Sequence, residues 1–156
     1  MIESAVIHDT FAFERSFLAS PSRVFAAFAT AEARKIWFCG SEATAKYEVD
    51  FRVGGRERLR FNHDDTAMRY DAQYYDISID QLIIYSYEMY ENNDRISVSL
   101  ATLEFAEIGE GTVLMWTEQG AFLVGIDTPG GPKNRIVGTA ELLDQLTSYL
   151  DSRAPR

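Results

Sequence analysis

Apolar and polar residues alternate with a period of two through most of the chain between residues 10 and 120. Because successive side chains of a β-strand point to opposite faces, this period predicts strands with one buried face. Glycine and asparagine turns such as Asn92-Asn93-Asp94 and Gly109-Glu110-Gly111 separate neighbouring runs. The predicted strands cover residues 10–18, 42–53, 55–62, 68–77, 82–91, 96–108 and 112–120. Short turns between consecutive strands predict an antiparallel meander, with a tight turn at residues 53–55.

Helical signals occur in two places, after the first strand and at the C-terminal end. Ser20 is a suitable N-cap and Pro21 suits the first helical position, so a short helix is predicted to about Ala29. Thr30 is predicted to cap a second short helix that ends near Phe38. Residues 134–153 carry apolar side chains at helical spacing, at positions 136, 137, 142, 143, 146, 149 and 150. One amphipathic helix can cover the apolar face of a bent sheet, so the predicted fold class is α+β.

Six stretches spread over nearly the whole chain resemble a known superfamily. They are ASPSRVFAAFATAEARKIWF, FRVGGRERLRF, IIYSYEM, SVSLATLEF, TVLMWTEQGAF and VGTAELLDQL. They are similar to the START-like, helix-grip superfamily, also called SRPBCC, and to its branch homologous to the C-terminal domain of the heat-shock-protein ATPase activator. Gly138-Thr139 stands where the common form of that branch carries Gly-Trp, which resembles a bacterial, polyketide-cyclase-like subgroup.

The resemblance implies one START-like domain over residues 1–156, with a frayed tail at residues 153–156. It also implies a cavity for apolar ligands between a curved sheet and the long C-terminal helix. It does not imply a reaction, because carriers, receptors, cyclases and regulators share this fold.

Charge and composition narrow the classes of partner. Fifteen basic residues against 24 acidic ones leave a net charge of −9, which argues against non-specific nucleic-acid binding. The single cysteine, Cys39, excludes an internal disulfide and a thiolate metal site, and its apolar surroundings favour a buried thiol over a nucleophile. His63-Asp64-Asp65 reads as a solvated turn, so neither a metal nor another cofactor is expected.

The N-terminal residues show no basic segment followed by an apolar one, the pattern of a secretory signal peptide. No apolar stretch approaches the roughly 20 residues that a membrane helix needs. We therefore expect a cytoplasmic protein without membrane insertion. A homodimer is common among small domains, and the sequence leaves that question open.

Strand alternation predicts which side chains point inward. In strand 55–62 the arginines face water, which turns Glu57 inward. In strand 112–120 Glu118 shares a face with Leu114 and Trp116, with the apolar face of Val113, Met115 and Thr117 as the alternative. In strand 82–91 Tyr85 and Tyr87 form one face, with the Leu82 and Ile84 face as the alternative. The residues expected to line the ligand cavity are Trp37, Phe38, Glu57, Tyr70, Tyr74, Tyr85, Tyr87, Trp116, Glu118 and Phe122.

Two inward glutamates need an explanation, because an isolated buried carboxylate costs several kcal/mol. One interpretation is structural: Glu118 pairs with Arg135 or caps the loop before the helix, and Glu57 pairs with Arg15. A second is that tyrosine hydroxyls and a carboxylate orient the polar head of a ligand. A third is that the two glutamates have raised pKa values and act as acid and base.

The favoured function is binding of a small hydrophobic or amphipathic molecule under the C-terminal helix, with the loop over residues 121–132 as a gate. One alternative is a cyclase- or hydrolase-like enzyme that uses Glu57 and Glu118. Another is an interaction module that regulates a chaperone ATPase. The sequence favours binding without catalysis but leaves the enzymatic alternative open, with Glu57 and Glu118 as its candidate catalytic residues.

Overall fold

A computed structural model of the chain describes residues 5–40, 46–125 and 128–153. The described elements are β1 (Ile7–Phe17), α1 (Pro21–Ala29), α2 (Ala31–Trp37), β2 (Lys46–Val49), β3 (Arg56–His63), β4 (Thr66–Ser78), β5 (Leu82–Glu91), β6 (Asp94–Ile108), β7 (Gly111–Phe122) and α3 (Pro132–Ser152). The strands form one antiparallel sheet in the order β1-β7-β6-β5-β4-β3-β2. This arrangement confirms the predicted α+β helix-grip fold.

Tight two-residue turns join the strands of the β3–β4 hairpin and of the β5–β6 hairpin. Asp64 and Asp65 join β3 to β4 with φ values of 47° and 65°, and Asn92 and Asn93 join β5 to β6 with φ values of 48° and 72°. Positive φ at both central residues matches the twist of the flanking strands, and aspartate and asparagine tolerate it. The histidine-aspartate-aspartate segment is therefore explained by hairpin geometry, as the predicted solvated turn.

The connection from β2 to β3 differs from the predicted tight turn at residues 53–55. Val49 pairs with Glu57, so β2 ends at Val49 and residues 50–55 form a longer loop. A Cβ added to Gly55 would lie 2.0 Å from the backbone oxygen of Asp50, and this close approach explains the glycine. The predicted strand over 42–53 is thus too long at its end, and its first residues, 42–45, lie outside the described residues.

The two ends of the predicted gate belong to regular elements. β7 continues through Ala121 to Phe122, and α3 already begins at Pro132. Residues 126 and 127 of this loop and residues 154–156 of the predicted tail lie outside the described residues.

The two short helices close one end of the core. The Ser20 side chain accepts a hydrogen bond from the backbone N–H of Arg23, as predicted for an N-cap. Thr30 makes no such cap for α2, and its hydroxyl donates back to the carbonyl of Ala26. Phe28 of α1 packs edge-on against Trp37 at a centroid distance of 5.0 Å, so the two helices share one aromatic cluster with the sheet.

The long helix α3 lies over the inner face of the sheet. Its second half buries Leu143, Leu146 and Leu150 in the core, while its first half lies over a cavity. None of the helices described between residues 5 and 153 is long and apolar enough to cross a membrane.

Candidate functional site

A cavity of about 290 Å³ lies between the inner face of the sheet and the first half of α3. Most of its wall is apolar, with Leu59, Phe61, Met68, Met89 and Ile96 contributed by four strands and Leu142 by the helix. A concave, mainly apolar site with a few polar groups is the usual form of a small-molecule site.

Strand alternation correctly predicted the inner face of β3 and β4. Ile83, Tyr85 and Tyr87 are buried in β5, which decides between the two faces left open for that strand. Six of the predicted site residues line the cavity: Phe38, Tyr70, Tyr85, Tyr87, Trp116 and Glu118.

The other four predicted site residues are buried and do not line the cavity. The Trp37 indole donates a hydrogen bond of 2.8 Å to the backbone oxygen of Ala27 in the helical cluster. Tyr74 packs against Phe51 at a centroid distance of 5.0 Å. Phe122 is fully buried near the end of β7, and Glu57 belongs to a separate polar cluster. These four side chains support the walls of the site.

Glu118 forms the centre of the polar end of the cavity. Its Oε2 accepts a hydrogen bond of 2.8 Å from the Trp116 indole nitrogen, and its Oε1 accepts one from the Tyr87 hydroxyl. Only 3% of Glu118 is exposed. Burial raises the pKa of this carboxyl, while the bonds from Tyr87 and Trp116 and the charge of Arg135 oppose the rise.

Arg135 of α3 completes this polar end. Its guanidinium donates bonds of 3.0 Å to the Tyr87 hydroxyl and 2.8 Å to Ser97 Oγ. It also stands 5.1 Å from the centre of the Phe122 ring, at cation–π distance. The prediction that Glu118 pairs with Arg135 or caps the loop is wrong, because both carboxylate oxygens are bonded within the sheet and the Tyr87 hydroxyl bridges the two residues.

Glu57 occupies a second buried polar cluster, in which Arg34 of α2 is its ion-pair partner. The Arg34 guanidinium donates bonds of 2.8 Å and 2.5 Å to Glu57 Oε2. The Tyr47 hydroxyl donates to the same oxygen, and the Tyr70 hydroxyl donates to Oε1 over 3.1 Å. The Arg34 guanidinium also lies 4.0 Å from the centre of the Phe38 ring. This cluster anchors α2 to the sheet.

The prediction that Glu57 pairs with Arg15 is wrong, and the strand order explains why. Arg15 lies on β1 and Glu57 on β3, and four strands of the sheet separate them. Arg15 instead binds Asp144 of α3 over 3.0 Å at the surface.

Four polar residues at the cavity were absent from the predicted lining, although Arg135 was a proposed partner of Glu118: Ser97 lies beside the cavity, and Asn134, Arg135 and Thr139 line it. A signal for two of them existed in the helix. Positions 135, 139, 142, 146 and 150 follow one another at helical spacing, so Arg135 and Thr139 continue the stripe of buried leucines toward the N-terminus of α3. Because the first residues of this inward-facing stripe are polar, they indicate that polar groups line the space between the N-terminal half of α3 and the sheet.

Cys39 follows α2 and is half-buried. Burial raises the pKa of its thiol to about 11, so the thiol stays protonated at neutral pH. The sequence predicted a buried thiol, and the structure leaves Cys39 half-exposed.

The comparisons with known proteins agree with this architecture. A family model described as Activator of Hsp90 ATPase homolog 1-like protein matches residues 18–151. No curated protein sequence matches the chain.

Several solved structures resemble the chain along nearly its whole length. The Mll3558 protein from Rhizobium loti is 42% identical with a TM-score of 0.85, over 93% of this chain and 99% of that one. A putative uncharacterized protein from Rhizobium leguminosarum is 40% identical with a TM-score of 0.87, over 95% of this chain and 97% of that one. CalU16 from Micromonospora echinospora, at 17% identity and a TM-score of 0.64 over 90% and 75% of the two chains, shares the fold.

Proposed function

We propose that this chain, which belongs to the family of Activator of Hsp90 ATPase homolog 1-like proteins, binds a small amphipathic molecule in the cavity under α3. The observation that carries the proposal is the division of that cavity into an apolar wall and one polar end. Methionine, leucine and aromatic side chains would receive the apolar body of the ligand. Tyr87, Glu118 and Arg135 would receive its polar group.

The volume of the cavity limits the size of the ligand. The cavity has a volume of about 290 Å³. It lies at the lower end of the range of about 300–1,000 Å³ found for small-molecule pockets. A medium-chain aliphatic compound or a compound with one aromatic ring therefore fits within this volume.

The experiment that tests this proposal looks for a ligand carried by the protein. The chain is purified from its native host under non-denaturing conditions, weighed intact by native mass spectrometry, and then denatured to release and weigh any bound compound. We expect a small amphipathic compound in a ratio close to one per chain. A protein that carries nothing and takes up no small amphipathic compound would contradict the proposal.

Thr139 offers a matched pair of variants for this experiment. It lines the cavity with only 3% of its surface exposed, so a larger side chain there has to occupy cavity space. We expect Thr139→Phe to lose the ligand. Thr139→Val keeps the volume and removes only a hydroxyl that bonds the Arg135 carbonyl, so it should keep the ligand. Equal ligand content in both variants would place the compound elsewhere on the protein.

A second candidate, an acid–base enzyme, is favoured by one feature: Glu118 lines the cavity and its pKa is raised by burial. The version with two glutamates has less support, because Glu57 is bonded to Arg34 and does not line the cavity. If the chain turns over the ligand found above, Glu118→Gln should abolish turnover and leave ligand binding intact. Unchanged turnover in this variant would exclude Glu118 as the acid or base.

A further inference from the structure

We infer that the ligand is a carboxylic acid and that its carboxylate pairs with Arg135 at the polar end of the cavity. This inference rests on the proposed function and adds the chemical class of the ligand. Four features of the described residues support it: the lack of a direct carboxylate partner for Arg135, its fixed position, the bonds already made by Glu118 and the direction of α3.

Arg135 is the only cation among the described residues that line the cavity. Among the described residues, no carboxylate oxygen lies within 4.0 Å of its guanidinium, whereas the buried Arg34 has such a partner in Glu57. A partly buried cation that faces an apolar space without a counter-ion favours an incoming anion.

The guanidinium is held in place and keeps hydrogen-bonding capacity. It donates one bond to the Tyr87 hydroxyl and one to Ser97 Oγ, and it packs near the Tyr87 and Phe122 rings. Arginine has five N–H donors, so these two bonds leave donors for a ligand. A guanidinium already ordered by its neighbours loses little further freedom when it binds an acceptor.

Glu118 is a poor competitor for Arg135. It is the only acidic residue among the described lining residues, and both of its oxygens already accept bonds from Tyr87 and Trp116. Burial raises its pKa and so disfavours its charged form. The polar end of the cavity therefore has a bias toward an acceptor that binds the remaining donors of Arg135.

The direction of α3 adds to this bias. The helix has 21 residues and begins at Pro132, and Gly130 and Asn134 at its N-terminal end line the cavity. Its first turn contains no acidic residue. The N-terminus of a helix carries a partial positive charge, and here that end lies on the same side of the cavity as Arg135.

These features favour a carboxylate over other polar groups. A planar guanidinium matches a carboxylate with two parallel hydrogen bonds, which adds geometric selectivity to charge. The apolar remainder of the wall and the volume of about 290 Å³ match a medium-chain fatty acid or a short arylalkanoic acid. The amide of such an acid has the same shape without the charge, which makes it the natural comparison.

The test is isothermal titration calorimetry at neutral pH with octanoate, octanamide and octylamine. We expect octanoate to bind about tenfold or more tightly than octanamide, since hydrogen bonds to charged groups contribute about 1.5–3 kcal/mol. Arg135→Gln should reduce octanoate to the affinity of octanamide. Arg135→Lys keeps the positive charge but lacks the planar guanidinium, so it should keep part of the preference for octanoate over octanamide. Circular dichroism of each variant checks that it is folded.

The possible failures are distinguishable. If octanoate and octanamide bind equally and Thr139→Phe abolishes both, the carboxylate inference is wrong and the proposed function stands. If octylamine binds most tightly, the inference is also wrong, and Glu118 becomes the anchor for a cationic group. If none of the three binds at millimolar concentration, both the inference and the proposed site are contradicted.

Discussion

At the scale of single residues, two equally buried glutamates have different surroundings. Glu57 is 1% exposed and Glu118 is 3% exposed. Glu57 has a guanidinium and two tyrosine hydroxyls around it, whereas Glu118 has neutral donors and faces a cavity. Glu57 thus serves as the structural partner of a buried guanidinium, whereas Glu118 forms part of a candidate binding site.

Removal of Glu57 should strongly destabilise the fold. Glu57→Ala leaves the Arg34 charge buried without a partner, which typically costs about 3–5 kcal/mol. Chemical denaturation should show this loss in the free energy of unfolding. The matched control is Asp50→Ala, which removes an exposed ion pair with Arg52 and should cost at most about 1 kcal/mol. Similar losses in both variants would contradict the structural role assigned to the buried pair.

Glu118 should make the stability depend on pH. Burial raises its pKa in the folded protein above the value of 4.5, so the folded state binds more protons than the unfolded state between those two values. Stability contributed by this group therefore falls as pH rises from about 4.5 through the folded pKa. Glu118→Gln cannot ionise and keeps an acceptor oxygen, so it should lack this fall.

The measurement is urea denaturation of both proteins from pH 4.5 to 8. The difference in unfolding free energy, wild type minus Glu118→Gln, should decrease as the pH rises above about 4.5 and become constant once the pH has passed the folded pKa. A constant difference would mean that the folded and unfolded pKa values are equal. An increasing difference would mean that the folded protein favours the charged carboxylate.

At the scale of secondary-structure elements, α3 performs two tasks along its length. Its second half packs leucines into the core, and its first half carries small and polar residues over the cavity. Gly138 and Thr139 line the cavity without filling it. The cavity therefore exists because the first half of α3 carries small side chains, while the packing of its second half holds the helix in position.

Two glycine-to-alanine substitutions should have opposite effects. A Cβ on Gly138 would meet no atom within 4 Å, so Gly138→Ala should stabilise the protein by about 0.5–1 kcal/mol through helix propensity. A Cβ on Gly120 in β7 would lie 2.7 Å from Ser99 Oγ and 3.3 Å from the Val98 oxygen, so Gly120→Ala should destabilise it by about 1–3 kcal/mol. Thermal unfolding of the two variants gives both signs. A destabilised Gly138→Ala would show that the space beside Gly138 is already filled.

At the scale of the whole molecule, most of the fold was predictable, because the periodic alternation of apolar and polar residues can be recognised in a single sequence. The period of two identified all seven strands, and strand parity turned Glu57, Tyr70, Trp116 and Glu118 inward correctly. Loop geometry was harder to predict. The segment at Gly54-Gly55 looked like a tight hairpin because paired glycines permit one, but the register Val49–Glu57 makes a longer loop.

The partners of the glutamates were not predictable from local pattern. Arg15 and Arg34 are both inward-facing arginines, and only the strand order and the position of α2 decide which of them reaches Glu57. Likewise, the approach of Arg135 to Tyr87 depends on how α3 crosses the sheet. Alternation along one strand predicts which way a side chain points but not which distant residue it contacts. Those contacts can be read only from the packed structure.

The central claim, that a small molecule binds under α3, can be tested by the two tryptophans of the chain. The Trp116 indole N–H lies at the cavity and bonds to Glu118, whereas the Trp37 indole N–H bonds to the Ala27 carbonyl away from the lining. Their signals in a ¹⁵N-labelled sample are assigned with Trp37→Phe and followed by nuclear magnetic resonance during titration with octanoate and octanamide. We predict a saturable shift of the Trp116 signal and little change at Trp37. A saturable shift at Trp37 with none at Trp116, or no shift of either signal with both compounds at millimolar concentration, would contradict the claim.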